Sequence, residues 1–387
     1  MRESTASAFR FTHLYLENWR NFTKVDVDLQ KRAFLIGPNA SGKSNLLDAF
    51  RFLRDIVSIG GGFQAAVGRR GGVKPLRCLA ARRNSDIVIG ARIGNNECPS
   101  AWEYEIRFSQ DKQSLPAIVK ECVRKNGRDL LLRPNREDKA DPQRLTQTYL
   151  EQINVNKAFR DIAEFFNSVR YLHIVPQLVR DPGRSVGRQD DPYGGDFLEQ
   201  IAKTNNKTQK TWLKKVEKAL KIAVPQFEQI EFERDPVRGT PHLKVKYTHW
   251  RPHGAWQKED QFSDGTLRLL GLLWAILEKS GPLLLEEPEL SLHTKIVRHL
   301  PQMFWRMQMR SGRQIILSTH SSELLSEEGI ALDEVLLLIP HPEGTKVRLA
   351  RDIQEILHLV QGGIPLGEAV IPHTAPENHF QMSLFEG

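Results

Sequence analysis

Apolar residues along this chain gather into short dense runs and helical stripes, and their succession predicts an α/β protein. Ala33-Phe34-Leu35-Ile36 is a continuous apolar run of strand length, the pattern of a strand buried on both faces. Residues 45–56 follow with Leu46, Leu47, Phe50 and Leu53 at helical spacing. Between 86 and 133 the period changes to alternation, in Ile87-Val88-Ile89, then Trp102, Tyr104, Ile106 and Phe108, then Ile118-Val119, which predicts antiparallel strands. Residues 157–169 and 208–222 return to helical periodicity, the second strongly basic. Residues 229–247 read as strand pairs around Pro236-Val237-Arg238-Gly239. Leu267, Leu270, Leu273 and Leu277 mark a long apolar helix, and Leu283-Leu284-Leu285 and residues 314–317 are further buried-strand runs. A sustained heptad pattern is missing, which excludes a long coiled coil, and no internal repeat is evident.

Between the first strand and its helix lies Gly37-Pro38-Asn39-Ala40-Ser41-Gly42-Lys43-Ser44, which fits the phosphate-binding pattern G-x-x-x-x-G-K-[ST] without a mismatch. A glycine-rich turn from strand to helix lets consecutive backbone N–H groups face a phosphate, and the helix N-terminus adds partial positive charge. Lys43 would reach the terminal phosphates and the Ser44 hydroxyl would ligate Mg²⁺. The pattern predicts a nucleoside triphosphate ligand.

Four later segments follow in order. Phe262-Ser263-Asp264-Gly265-Thr266 opens the apolar helix, and Leu283-Leu284-Leu285-Glu286-Glu287-Pro288-Glu289 is an apolar strand ending in acids. Leu290-Ser291-Leu292-His293 comes next, and Ile315-Ile316-Leu317-Ser318-Thr319-His320-Ser321 is last. With the phosphate loop these resemble the ABC-type ATPase set of signature motif, Walker B, D-loop and switch histidine. Leu16-Glu17-Asn18-Trp19-Arg20-Asn21-Phe22 resembles the strand that opens SMC, RecF and OLD-type ATPases. The chain from about Phe11 to about Leu359 resembles the soluble AAA-family predicted ATPases of bacteria that share this head (AAA_21-like).

That resemblance implies a P-loop NTPase head that binds ATP and Mg²⁺ and dimerises around two nucleotides. Ser263 and Gly265 would contact the γ-phosphate held by the other protomer, although serine and aspartate before an apolar helix are also an ordinary cap. Glu286 would hold the metal's hydration shell, where aspartate is usual, and Glu287 would orient or deprotonate the attacking water. Acids at the carboxyl end of a buried strand suit such a crevice. His320, just past a strand, would donate to the γ-phosphate. The Q-loop glutamine is nominated as Gln177, with Gln64 and Gln152 as rivals. Ser291 and His293 would lie at the dimer seam.

Composition narrows the partners. At 387 residues and 44.3 kDa the chain can bury a large core. We expect an ATPase head over residues 1–361: a lobe with the phosphate loop at about 10–177, a helical and β insertion at about 178–260, and the signature, Walker B and switch histidine at about 261–361. Cys78, Cys98 and Cys122 lack C-x-x-C spacing, which argues against zinc, iron–sulfur and disulfide frameworks. No apolar run approaches a bilayer-spanning length, and the polar N-terminus lacks a signal-peptide core, so a cytoplasmic protein without a membrane partner is expected. A net charge of +8 invites a polyanion, with basic clusters at Arg69-Arg70, Arg82-Arg83, 180–188, 203–221 and 244–251. DNA held by its phosphates is the expected partner.

Residues 362–387 are expected to be a flexible tail, rich in Gly and Pro over 362–377. It ends in Gln381-Met382-Ser383-Leu384-Phe385, which resembles the peptide by which bacterial repair and replication proteins dock on the β sliding clamp. The expected function is a dimeric ATPase that senses or clamps DNA in anti-phage defence or repair. No nuclease constellation is visible, so a separate effector such as a nuclease is expected. The alternative is a nucleotide-gated scaffold with little turnover. The ATPase of a transporter is disfavoured by the opening motif, the insertion and the basic charge.

Overall fold

The alternating and continuous apolar runs separate into different sheets. In the computed structural model, which describes residues 9–82, 84–181, 183, 191–248, 255–278 and 281–374, β1 (Arg10–Trp19) and β2 (Phe22–Asp28) pair antiparallel. The next strand, β3 (Arg32–Ile36), leaves for another sheet. β4 (Ile87–Gly94), β5 (Trp102–Gln110), β6 (Pro116–Lys125) and β7 (Arg128–Arg133) then join the opening hairpin in the order β2-β1-β4-β5-β6-β7. Neighbouring pairs are antiparallel throughout, as the alternation between 86 and 133 predicts.

The second sheet contains β3 with β8 (Arg170–Leu172). A three-stranded sheet follows, made of β9 (Phe227–Arg234), β10 (Pro241–Tyr247) and β11 (Ala255–Lys258) in the order β11-β10-β9. The chain then returns through β12 (Leu283–Glu286), β13 (Ile315–Thr319), β14 (Val335–Ile339) and β15 (Lys346–Leu349) to complete the order β15-β14-β3-β13-β12-β8. β13 and β14 run parallel to β3 on either side of it. All five residues of β3 and of β13 are buried, which is why both read as unbroken apolar runs.

The chain divides into two units: Met1–Arg170 with Ser280–Leu284 and Trp305–Gly387, and Tyr171–Lys279 with Leu285–Phe304. In the first, the helix Lys43–Val57 lies against β13 and buries Leu46, Leu47, Phe50, Phe52 and Leu53. Its aromatics reach the antiparallel sheet, with Phe50 4.7 Å from Phe11, Phe52 5.4 Å from Trp19 and Phe52 5.5 Å from Phe108 (ring centroids). In the second, Leu213, Val216 and Leu220 of the basic helix Asn206–Ala223 share a core with Leu267, Leu270 and Trp274 of the apolar helix Asp264–Leu277, and with Ile230, Leu243 and Val245 of the three-stranded sheet. Among the described residues no helix is long and apolar enough to cross a membrane.

Past Gln361, where composition predicts a linker, the helix Leu366–Val370 buries Leu366, Ala369 and Val370. A Cβ on Gly367 would stand 2.1 Å from the Ser322 carbonyl oxygen, so the glycine permits this close packing. The flexible-tail expectation therefore does not hold for residues 366–370, because three apolar side chains there find a core. The peptide Gln381–Phe385 lies outside the described residues.

A buried ionic cluster fixes the far edge of the antiparallel sheet. Arg133, fully buried at the end of β7, bonds Asp138 at 2.9 and 3.0 Å, Glu121 at 3.0 Å, and the carbonyls of Arg144 and Gln147 at 2.7 and 2.8 Å. Its guanidinium also lies 3.9 Å from the Tyr149 ring centroid. Removing one partner of such a pair leaves uncompensated buried charge and costs about 3–5 kcal/mol. Arg133→Met should therefore lower stability by about that amount in urea denaturation, and an unchanged midpoint would contradict the assignment.

Candidate functional site

In the first unit, the chain leaves β3 at Ile36 and turns through Gly37–Ser44 into the helix Lys43–Val57. Two glycines make the turn possible. Gly42 is left-handed, with φ 96°, and a Cβ there would stand 2.2 Å from the Asn21 amide. A Cβ on Gly37 would stand 2.6 Å from both the Leu338 carbonyl and Ser41 Oγ. The Lys43 ammonium folds back on the loop, donating to the carbonyls of Gly37 and Pro38 at 2.9 and 3.0 Å. Ser41 Oγ is buried without a hydrogen-bond partner, and the Ser44 side chain is exposed at the first turn of the helix. A cradle that side chains would fill, a cation across it and an orphan hydroxyl fit a phosphate group.

The opening motif holds this loop. Asn21 Nδ2 donates to the Ser41 carbonyl and to Thr345 Oγ1, both at 2.8 Å, and its Oδ1 accepts from Asn45 Nδ2 at 2.8 Å. Trp19 Nε1 donates to the Asn45 carbonyl at 2.7 Å. Arg20 reaches Asp48 of the same helix at 3.4 Å, and Arg70 binds Asp48 at 2.7 and 2.9 Å. Burial would raise the Asp48 carboxyl, but the hydrogen bonds and charge of Arg70, with the charges of Arg51 and Arg20, hold it below its usual range. Asn21 is a loop-positioning residue that the sequence reading did not single out. The signal was present in Asn18-Trp19-Arg20-Asn21-Phe22, whose use as a clamp appears only once β1 and the loop are placed together.

His320 lies in this unit too, exposed directly after β13. Thr319 pairs with Ile36 across parallel strands, so His320 and Gly37 leave the sheet at neighbouring points on one edge.

The remaining nominated residues belong to the second unit. Ser263 caps the helix Asp264–Leu277, its Oγ accepting from the Thr266 N–H at 3.2 Å and lying 2.8 Å from Thr266 Oγ1. The serine expected to act as the signature residue is thus an ordinary helix cap here. Arg180 fixes this turn by donating to the Phe262 carbonyl at 2.7 Å and to Asp264 at 2.6 Å. A Cβ on Gly265 would stand 2.4 Å from the Ser291 carbonyl oxygen, so only glycine lets the segment after the acids pass over the helix start.

Glu286 ends β12 and accepts a hydrogen bond from the Tyr171 hydroxyl, while His173 Nδ1 lies 3.4 Å from the Glu286 carbonyl. Glu287 and Ser291 both have positive φ, 44° and 61°, a costly conformation for side-chain-bearing residues that recurs at functional turns. Arg268 of the apolar helix shares a small cavity with Glu286 and Glu287. Burial lowers the pKa of its guanidinium, opposed by the charges of Asp264 and Glu287. Gln177 is exposed on the short helix Pro176–Val179. Its rival Gln64, in the first unit, bonds the carbonyls of Pro116 and Thr146 at 2.9 and 2.8 Å and serves as a local tie.

Residues 32–326 match the model of the family described as "AAA domain, putative AbiEii toxin, Type IV TA system". No curated protein matches the chain. Among solved structures, an Smc head bound to the C-winged helix domain of ScpA is similar with TM-score 0.53 and 14% identity, over 87% of this chain and 97% of that one. The Pyrococcus furiosus Smc head with an extended coiled coil, bound to the C-terminal domain of ScpA, has TM-score 0.53 and 12% identity, over 92% of this chain and 100% of that one. The Pyrococcus yayanosii Smc head with a coiled coil and joint gives 0.51 and 11% over the same shares. At these identities the likeness establishes the fold, an ABC-type P-loop head.

Asn21→Ala removes three hydrogen bonds from the loop clamp, each worth about 0.5–1.5 kcal/mol net. We expect a lower Tm and roughly tenfold weaker ATP binding, since 1.4 kcal/mol of lost organisation is a factor of ten. A nucleotide titration with the variant checks this, and wild-type affinity would show that the loop holds its shape without Asn21.

Proposed function

The chain belongs to this AAA-domain ATPase family, and from that premise we propose that it binds ATP with Mg²⁺, hydrolyses it as a homodimer, and couples the cycle to DNA. The observation that carries the reading is the Gly37–Ser44 cradle with Lys43 folded across it. Lys43 would supply point charge to the β- and γ-phosphates, Ser44 would hold the metal, and loop N–H groups would receive phosphate oxygens. Glu287 would accept the proton of the attacking water, Glu286 would help hold the metal through its bound water, and His320 would donate to the γ-phosphate. Ser263 and Gly265 act on the nucleotide of a second copy, and Gln177 is the assigned Q-loop residue.

Lys43→Ala should abolish tight ATP binding while the protein stays folded. Glu287→Gln should keep binding but stop turnover, because the amide preserves shape without accepting a proton. Nucleotide affinity and phosphate release measured side by side separate the two. Wild-type affinity in the first variant removes the loop assignment, and wild-type turnover in the second moves the base elsewhere. One observation favours a scaffold with little turnover: the Glu286 carboxylate, at the metal position, already binds the Tyr171 hydroxyl. In that case the wild type itself would release almost no phosphate.

The DNA reading is supported by the helix Asn206–Ala223, whose Lys207, Lys210, Lys214, Lys215, Lys218 and Lys221 are all exposed. Some cations of the other basic clusters are ion-paired, as Lys221 of this helix is with Glu217. Arg70 pairs with Asp48 and Asp55, and Lys244 and Lys246 pair with Glu233 and Glu228. An effector protein, such as a nuclease, completes the proposal, in anti-phage defence or repair. A solved Smc head that carries a domain of ScpA supports a partner protein on such a head. The tail peptide Gln381–Phe385 is assigned to the β sliding clamp from sequence.

DNA affinity should fall roughly ten- to a thousandfold between low and physiological salt. Lys210→Glu/Lys214→Glu/Lys218→Glu should weaken binding and flatten that dependence, as measured by fluorescence anisotropy with a labelled duplex. Unchanged binding by the triple variant would make the helix a solvated face.

A further inference from the structure

We infer that Arg268 is a positioning residue for Glu287, tying the helix that begins at Ser263 to the acid that ends the Walker B strand. The inference rests on the assignment of Glu287 above and concerns the second unit alone. The helix Asp264–Leu277 is apolar on nearly every side, with Leu267, Leu269, Leu270, Leu272, Leu273 and Trp274 all buried. An arginine in that setting is costly. Its Nε is buried with no hydrogen-bond partner, so it carries a desolvation penalty that a methionine at the same place would not.

Its surroundings supply the reason. Leu172, Ile174, Leu272, Leu285 and Pro288 wall a cavity with Arg268, Glu286 and Glu287. The cavity volume is about 10 Å³, no more than one water occupies. Arg268 and Glu287, both half-buried, line this space together, and the Glu287 charge acts on the guanidinium. Asp264, the other acid that attracts Arg268, is already held by Arg180 at 2.6 Å, and the Glu286 carboxylate is held by Tyr171. Glu287 sits on backbone of positive φ, 44°, a costly conformation for a residue with a side chain. Arg268 adds a hold on it from a helix whose first turn carries Ser263 and Gly265. A shift of that first turn is thereby passed to the acid.

The experiment compares Arg268→Met and Arg268→Lys in the full chain. Arg268→Met should keep or raise Tm, leave KM for ATP within about threefold, and lower kcat at least tenfold. Arg268→Lys should restore part of kcat, because a cation returns without the planar fork. A structural residue would give the opposite pattern, with Tm falling and the lysine no better than the methionine. Wild-type kcat in both variants, or loss of the fold in both, overturns the inference. Glu287→Gln serves as the reference. If that variant turns over normally, the assignment of Glu287 fails first and the inference with it. If it stops while both Arg268 variants proceed, only the inference fails.

Discussion

The Asn21 side chain stands where a side chain on residue 42 would be, 2.2 Å from the ideal Cβ position, and much of the first unit is arranged around that contact. It forces glycine at the last turn of the loop, and glycine permits φ 96°, which swings the chain from strand direction into the helix Lys43–Val57. The same amide bonds the Ser41 carbonyl and Thr345 and receives Asn45, so loop, helix start and β14–β15 turn share one anchor. Within the loop the Ser41 N–H donates to the Pro38 carbonyl at 3.3 Å. Side chains hold the loop by its carbonyls, Asn21 at Ser41 and Lys43 at Gly37 and Pro38.

The second unit meets a related constraint. Its segment after β12 must turn back over the start of an apolar helix within a few residues, and Glu287 and Ser291 adopt left-handed backbone to do so. The turn closes only because residue 265 has no side chain to meet the Ser291 carbonyl. Strain in the acid-bearing segment and the absence of a side chain in the serine-bearing segment are thus two parts of one close approach.

Much of this was legible because the relevant signals are local. The unbroken run of β3, the alternation of β4 to β7 and the stripe of the helix Lys43–Val57 record burial directly, with periods that differ by element. The loop pattern was equally clear, since only backbone geometry of this kind requires both glycines. What sequence did not convey were relations between distant segments. Asn21 meets Thr345 across 324 positions, and Arg70, read as part of a polyanion patch, is an internal counter-ion for Asp48 and Asp55. Charge alone does not tell a solvated cation from a paired one. The helix Leu366–Val370 was hidden for a similar reason, because glycine and proline around it suggested a linker while the three residues it buries are few.

Two arginines with buried nitrogens differ in how fully their polar atoms are satisfied. Arg133 makes hydrogen bonds from all three guanidinium nitrogens, to two carboxylates and two carbonyls, with a tyrosine ring beside it. Such a closed network has little left to offer a ligand and serves to fix the register of β6, β7 and the loop beyond. Arg268 is the reverse case, with a buried nitrogen left unpaired in an apolar helix, next to an acid on strained backbone. Folding alone would favour replacing it by a hydrocarbon of similar volume. The hold on Glu287 proposed above would give this partly buried cation a role that packing of the apolar helix does not.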